Sequence, residues 1–248
     1  MFSFLSKKYN TAINRLILLD YDGTLVDFES LPIKAIPSAH LLSMLSAIAM
    51  QPCTDLIIVT GRGYFDIDGF FGKLPISIIA EHGAMIRENG RWKKQLTDIG
   101  LWKQKVMPFF IGISSACPNS FVEEKETSLT WHYRNAQSEQ GYKYSRELIS
   151  NLKDVISSLN LKILEGNKIV EVLNNDVDKG IAVRKLLMKN KYDFVLAIGD
   201  DKTDEDMFCV LNECNNAYTV KVGDGETIAK HKLKTVSDVL ILLEQLAN

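Results

Sequence analysis

The sequence predicts an α/β protein in which a parallel sheet, covered by helices on both faces, is interrupted by a smaller α+β insertion. Three observations predict it. Near both ends of the chain, short continuously apolar runs of strand length alternate with amphipathic helical stretches, the pattern of a sheet buried on both faces. From about Leu101 to Asn174 that rhythm breaks, and the strand-like runs alternate apolar with polar residues, as in an antiparallel sheet with one wet face. The chain has 248 residues, enough for a large core plus an insertion. The expected division is a first core part over 1–100, an inserted domain over 101–174 and a second core part over 175–248.

The elements follow in order. Arg15–Asp20 (RLILLD) reads as a buried strand, and Ser38–Met50 as a helix with Leu41, Leu45, Ile48 and Ala49 on one stripe. Asp55–Thr60 (DLIIVT) is a second buried strand, stopped by Gly61. Ile76–Ala80 is a third, and AMIRENGRW contains Asn89-Gly90, a two-residue hairpin signal. In the insertion, SFVEEK, SLTWHYR, a polar helix near Ser138–Leu159, LKIL and KIVEVL suggest an α+β unit. The first rhythm then resumes. Asp178–Asn190 reads as a helix capped by Asp178, Asp193–Gly199 as a strand, and Thr203–Leu211 as a helix with Thr203 and Asp206 at capping-box spacing. Ala217–Val222 is a strand and Val236–Ala247 a terminal amphipathic helix. No internal repeat or low-complexity tract is present.

Composition narrows the function classes. Apolar residues make up 46% and charged residues 24%, ordinary for a globular protein, and the formal charge of −2 gives no general attraction to nucleic acid or acidic membranes. Cys53, Cys117, Cys209 and Cys214 show no CxxC spacing and no histidine partner for zinc, so buried free thiols in a reducing compartment are expected. The N-terminal MFSFLSKKYN has no apolar signal-peptide core, and no apolar run approaches the ~20 residues that cross a bilayer. The expectation is a cytoplasmic protein with no membrane partner. Oligomeric state is not legible.

The chemistry-bearing residues stand where strands end and helices begin. Asp20 and Asp22 follow LILL, Thr60 follows LIIV, Lys179 opens a helix, and Asp200, Asp201 and Asp204 follow VLAIG. In open parallel sheets ligands bind beyond the carboxyl ends of the strands. Five acids gathered at one edge repel each other unless a cation sits among them, and a hard divalent ion with oxygen ligands answers that need. A calcium loop of about 12 residues fails on spacing, because neither Leu25 nor Glu205 is the required glycine and neither Leu31 nor Leu211 the required glutamate. Magnesium with a phosphate fits better. Asp20 is then an oxygen nucleophile toward phosphorus, forming an aspartyl-phosphate. Asp22, two residues on, is placed to protonate the leaving alcohol and then to activate water. Gly23 permits a tight turn. The Thr60 hydroxyl and the backbone N–H groups of Gly61, Arg62 and Gly63 suit phosphate oxygens, and Lys179 brings positive charge.

The segments LLDYDGTL, VTGR, DKG and GDDKTDED resemble the four motifs of the haloacid dehalogenase superfamily of phosphatases. AEHGA at 80–84, the ExK of Glu123 and Lys125, HYR at 132–134 and VEV at 170–172 further resemble trehalose-6-phosphate phosphatases, so that the likeness runs from about Arg15 to Val222. The resemblance implies a Rossmann-like core with a mobile cap inserted between the second and third motifs. It implies Asp20 as nucleophile, Asp22 as acid/base, and Thr60 and Lys179 as phosphate binders. It implies Mg²⁺ held by Asp20, the Asp22 backbone carbonyl and Asp200, with Asp204 orienting water or Lys179 behind them and Asp201 an adjacent helper.

A sugar phosphate of this kind needs many hydrogen-bonding partners for hydroxyls. Glu123, Lys125 and Glu171 suit that task, and His132 and Arg134 add donors. Gly61 and Arg62 are candidates for substrate contact, and Glu81-His82-Gly83, near the junction of core and insertion, is read as a substrate contact or a hinge, with Gly83 also suiting a simple turn. In an extended SLTWHYR, Trp131 and Tyr133 share the face opposite His132 and Arg134, which favours packing for the two aromatics. Hydrolysis of trehalose 6-phosphate is the leading expectation. A phosphatase for another sugar or polyol phosphate, such as sucrose 6-phosphate or mannosylglycerate phosphate, and a non-catalytic sugar-phosphate sensor remain open. The chain lacks the GxxxxGK[ST] loop of a P-loop kinase.

Overall fold

A computed structural model describes residues 1–96 and 101–247. Along the chain these form α1 (Phe2–Thr11), β1 (Arg15–Leu19), α2 (Ala39–Ala49), β2 (Thr54–Val59), α3 (Tyr64–Phe71), β3 (Ser77–Ala80), β4 (Met85–Glu88) and β5 (Arg91–Lys94). Next come α4 (Leu101–Ala116), β6 (Phe121–Glu124), β7 (Ser128–His132), α5 (Ser138–Ser157), β8 (Leu161–Gly166) and β9 (Ile169–Asn174). The last are α6 (Lys179–Lys189), β10 (Phe194–Gly199), α7 (Lys202–Asn212), β11 (Ala217–Val222), β12 (His231–Leu233) and α8 (Val236–Ala247). The chain divides into two compact units, Met1–Gln95 with Asp178–Asn248, and Leu96–Val177. No helix among the described residues is long and apolar enough to cross a membrane.

The first unit carries an eight-stranded sheet in the order β12-β11-β10-β1-β2-β3-β4-β5. It is parallel from β12 to β3, and β3, β4 and β5 pair antiparallel. The apolar runs are continuous because both faces are covered. Ile17, Leu19, Leu56, Ile58, Leu196 and Ile198 pack with Leu41, Leu45 and Ile48 of α2 and Val239, Leu242 and Leu243 of α8. Their sequence neighbours Leu16, Leu18, Ile57, Val59, Val195 and Ala197 point the other way, to Val183 of α6 and Met207, Phe208 and Leu211 of α7. Each of the Val, Leu, Ile, Met and Phe side chains contributes roughly 1.5–3 kcal/mol by leaving water. Asn89 (φ 51) and Gly90 (φ 74) join β4 to β5 with both residues left-handed, as a two-residue hairpin requires.

The second unit holds a four-stranded antiparallel sheet, β6-β7-β9-β8. One face, with Leu129, Trp131, Val170 and Val172, packs on Val106 and Phe110 of α4 and Leu148 and Leu152 of α5, and Tyr133 joins the same core. The opposite face of β7 is not wet as expected: Ser128 and Thr130 are buried there. Part of the reason is a polar network, in which the Ser128 hydroxyl donates to Glu171 at 2.5 Å and Lys125 donates to the same carboxylate at 2.9 Å.

Three further expectations change. Helix α7 is capped by Asp201, not Thr203, and its capping box is completed by Asp204, not Asp206, because the helix opens at Lys202 directly after the strand end. Helices α1 and α4 occupy stretches to which the sequence reading assigns no element. Of the four thiols only Cys117 is buried, since Cys53 lies in the exposed turn before β2 and Cys209 on the outer side of α7.

Candidate active site

Register brings the acids together. β1 and β10 pair up to Leu19 and Ile198, and the Asp20 N–H donates to the Ile198 carbonyl at 3.0 Å. The next residues, Asp20 on one strand and Gly199-Asp200 on the other, therefore leave the sheet side by side. β2 pairs with β1 up to Ile58 and Leu19, which delivers Thr60 to the same edge. Lys179 is the first residue of α6 because Asp178 caps that helix, accepting from the Ile181 N–H at 2.6 Å.

The Lys179 side chain is 2% exposed, and its Nζ donates to Asp20 Oδ1 at 2.7 Å and to Asp204 Oδ1 at 2.8 Å. Burial alone would discharge this ammonium, but the two carboxylates outweigh it and hold Lys179 firmly protonated. One carboxylate oxygen from each of Asp20, Asp200 and Asp204 lies within 4.8 Å of the others. Burial drives the Asp20 carboxyl well above its ordinary range, Lys179 pulls it back, and Asp204 and Asp200 push it up again. Asp200 is pushed up to about 7 by burial and then by Asp204 and Asp201. Three crowded carboxylates, those of Asp20 and Asp204 buried and that of Asp200 partly so, still carry excess negative charge when ionised around one ammonium. An all-oxygen donor set in that state fits a hard divalent cation.

Two residues beyond the sequence reading hold Asp200. Thr24, fully buried, sets its hydroxyl 3.4 Å from Asp200 Oδ1, and the Lys221 ammonium donates to the Asp200 carbonyl. Lys221 has a signal in the sequence, a lysine one residue from the end of an otherwise largely apolar strand. Gly23 makes the approach possible. Its φ is +77°, and a Cβ there would lie 2.4 Å from Asp200 Oδ2.

Asp22 does not join the acids through its side chain. Its carboxylate is gripped by Arg62, whose Nε and Nη2 donate to Oδ2 and Oδ1, each at 2.7 Å. Arg62 itself lies over the rings of Tyr21 (4.9 Å) and Phe70 (5.6 Å). Thr60 is buried, and its hydroxyl accepts from the Arg62 amide at 3.2 Å, so that amide is already engaged. Glu81 accepts from the Tyr64 N–H at the start of α3 at 3.2 Å. The His82 ring lies against Gly61, where a Cβ would meet Cε1 and Nε2 at 2.5 Å. Asp201 is engaged as the cap of α7, and the Asp204 Oδ2 returns the bond by accepting from the Asp201 N–H at 3.0 Å.

In the second unit, Glu123 accepts from His132 Nε2 at 2.6 Å, and that ring stacks on Phe121 at 4.6 Å between centroids. Burial would raise the Glu123 carboxyl, but His132 and Lys125 hold it below its ordinary value. Lys125 and Glu171 form a buried pair at 2.9 Å. Thr130 stands between Glu123 and Glu171 in register. Arg134 reaches instead to the Asn167 carbonyl at 2.9 Å, in the turn between β8 and β9.

Comparison with known proteins bears on this arrangement. The family model described as trehalose-phosphatase matches residues 18–238. The chain is 42% identical over 243 residues to the bifunctional trehalose-6-phosphate synthase/phosphatase of Thermoproteus tenax, covering 98% of this chain and 33% of that protein. It is 34% identical over 244 residues to the trehalose-phosphatase of Zygosaccharomyces rouxii, covering 89% of this chain and 27% of that one. The chain thus spans about a third of the length of the curated relatives it matches. Among solved structures, the C-terminal domain of C. albicans trehalose-6-phosphate phosphatase superposes with a TM-score of 0.94 at 30% identity, covering 99% of this chain and 96% of that one. A haloacid dehalogenase-like hydrolase from B. subtilis shares the fold, with a TM-score of 0.62 at 17% identity over 93% of this chain and 98% of that one. By the extent of these matches, the chain belongs to the trehalose-phosphatase family.

Proposed function

We propose that this chain hydrolyses trehalose 6-phosphate to trehalose and phosphate through an aspartyl-phosphate on Asp20. The observation that carries this reading is the Asp20 carboxylate at the carboxyl end of β1, 2.7 Å from the buried Lys179 ammonium and beside Asp200. An Asp20 oxygen attacks phosphorus, the bond to the sugar oxygen breaks, and Asp22, which enters this step as the neutral acid while still accepting from Arg62, supplies the proton that the departing alkoxide takes up. Asp22, now a carboxylate, accepts a proton from water as that water attacks phosphorus and releases Asp20. Lys179 and the Thr60 hydroxyl stabilise the charge on the transferring group. Asp20, the Asp22 backbone carbonyl and Asp200 would hold a magnesium ion, which when bound supplies the counter-charge a phosphate dianion needs beside these acids. Asp204 keeps Lys179 in place, and Asp201 caps the helix that carries Asp204. We assign hydroxyl recognition to Glu123, Lys125, His132, Arg134 and Glu171, a set rich in the acceptors and donors that a polyol requires.

The test is phosphate release from trehalose 6-phosphate, sucrose 6-phosphate and glucose 6-phosphate, with and without magnesium. The expected result is magnesium-dependent release fastest from trehalose 6-phosphate, with a trapped adduct that maps to Asp20. Preference for another ester would move the assignment to that sugar. Binding without release would make the chain a sensor.

A further inference from the structure

The turn Glu81–Gly83 is the one run among the described residues where three consecutive residues have left-handed backbone, with φ of 49°, 56° and 105°. Glu81 and His82 carry side chains, and each costs on the order of 1 kcal/mol in that region. Such a conformation persists only where its surroundings over-determine it.

Those surroundings are two phosphate-binding elements of the proposed mechanism. On one side the turn is bonded to the loop after β2. The Glu81 N–H donates to the Arg62 carbonyl at 3.0 Å, and the His82 N–H donates to the Thr60 carbonyl at 3.1 Å. The Glu81 carboxylate accepts from the Tyr64 N–H at 3.2 Å, and the His82 ring covers the space above Gly61. On the other side, Gly83 backs onto the start of α6, where a Cβ would lie 3.0 Å from both the Asp178 carbonyl and the Ala182 Cβ. Lys179 follows Asp178 directly in that first turn. The turn is therefore wedged between the Thr60–Arg62 loop and the first turn of α6, which carries Lys179.

We propose that Glu81-His82-Gly83 is a positioning strap that sets the distance between the Thr60–Arg62 loop and the first turn of α6. Glu81 and His82 then act through the Thr60–Arg62 loop and the turn that carries Lys179 and are not sugar ligands, which departs from the substrate role read for them in the sequence. The inference rests on the phosphatase reading for its kinetic consequences, but the spacing it concerns also governs plain phosphate binding.

The experiment uses His82→Val, which opposes the left-handed backbone, and His82→Asn, which tolerates it while removing the ring. Each is read by calorimetry with inorganic phosphate and magnesium, and by kcat/KM on trehalose 6-phosphate and on an aryl phosphate that has no sugar. A strap predicts that His82→Val weakens phosphate binding about tenfold or more and lowers kcat/KM on both esters by the same factor, with His82→Asn intermediate. A loss confined to trehalose 6-phosphate would make His82 a sugar ligand and overturn the proposal. So would unchanged phosphate affinity in a variant that melts as a folded protein. If His82→Val does not fold, His82→Asn carries the same readouts. A wild-type protein that binds phosphate but hydrolyses neither ester defeats the phosphatase reading, while the binding comparison still decides the strap.

Discussion

Arg62 and Asp22 form a two-pronged ion pair, with Nε on Oδ2 and Nη2 on Oδ1, each at 2.7 Å. Arg62 is 8% exposed and its guanidinium rests on Tyr21 and Phe70, so the pair is held from behind by packing. Each carboxylate oxygen gives one lone pair to Arg62 and keeps another for proton transfer. The plane of the Asp22 carboxyl is thereby fixed.

Arg62→Gln should therefore damage proton delivery more than phosphorus attack. On trehalose 6-phosphate, whose alkoxide needs a proton, kcat/KM is expected to fall about tenfold to a hundredfold. On an aryl phosphate with an acidic nitrophenol leaving group it is expected to change little. Equal losses on both substrates would instead make Arg62 a phosphate ligand.

Removing Lys179 should cost both stability and turnover. Lys179→Met leaves Asp20 and Asp204 without their ammonium, at 2.7 and 2.8 Å respectively. Breaking one side of a buried ionic cluster costs about 3–5 kcal/mol. The melting temperature is expected to drop by about 6–20 °C in the absence of magnesium. Turnover should fall about a thousandfold, and a variant with wild-type kcat would remove Lys179 from the mechanism.

Magnesium should stabilise the protein more at higher pH. Asp200 binds its proton up to about 7 in the metal-free fold, against an ordinary value of 3.8. The folded state therefore holds more protons than the unfolded chain in between, so this carboxyl favours the fold fully below 3.8 and loses that contribution as pH rises through about 7. A bound cation requires the ionised form and reverses the trend. The rise in melting temperature on adding magnesium is expected to be larger near about pH 8 than near about pH 5, with proton release on binding at the lower pH. An equal rise at both would show that Asp200 is not displaced from its proton by the ion.

Gly23→Ala should weaken magnesium binding without touching a ligand atom. The added methyl would sit 2.4 Å from Asp200 Oδ2, and the φ of +77° is disfavoured for alanine. The expected result is a loss of about tenfold or more in magnesium affinity by calorimetry, with a destabilisation of about 1–3 kcal/mol. Unchanged affinity would mean that Asp200 has room to shift.

The strands and their ends were legible because each short apolar run is buried on both faces by helices, and the chemistry begins where the run stops. Leu16–Leu19 illustrates this, with alternate residues in two separate cores and Asp20 immediately after. What escaped was set by tertiary contact. Asp22 and Arg62 are 40 residues apart, and no local pattern announces their pairing. Helix α1 buries only Leu5 and Tyr9, too sparse a stripe to stand out in MFSFLSKKYN. Helix α4 buries Trp102, Val106, Phe110 and Ile113 at helical spacing, but Pro108 and the abrupt change of rhythm obscured it. The burial of Ser128 and Thr130 was hidden because a hydrogen-bonded polar face and a wet one read alike in sequence.

The large sheet ends in β5 on one side, where Arg91, Lys93 and Lys94 are exposed, and in the three-residue β12 on the other. A rim of like charge repels an incoming copy, and a rim this brief offers it almost no ladder to extend. Fibril-like stacking through these margins is thereby discouraged. Replacing Lys93 and Lys94 by valine should turn a well-behaved preparation into one that clouds on standing.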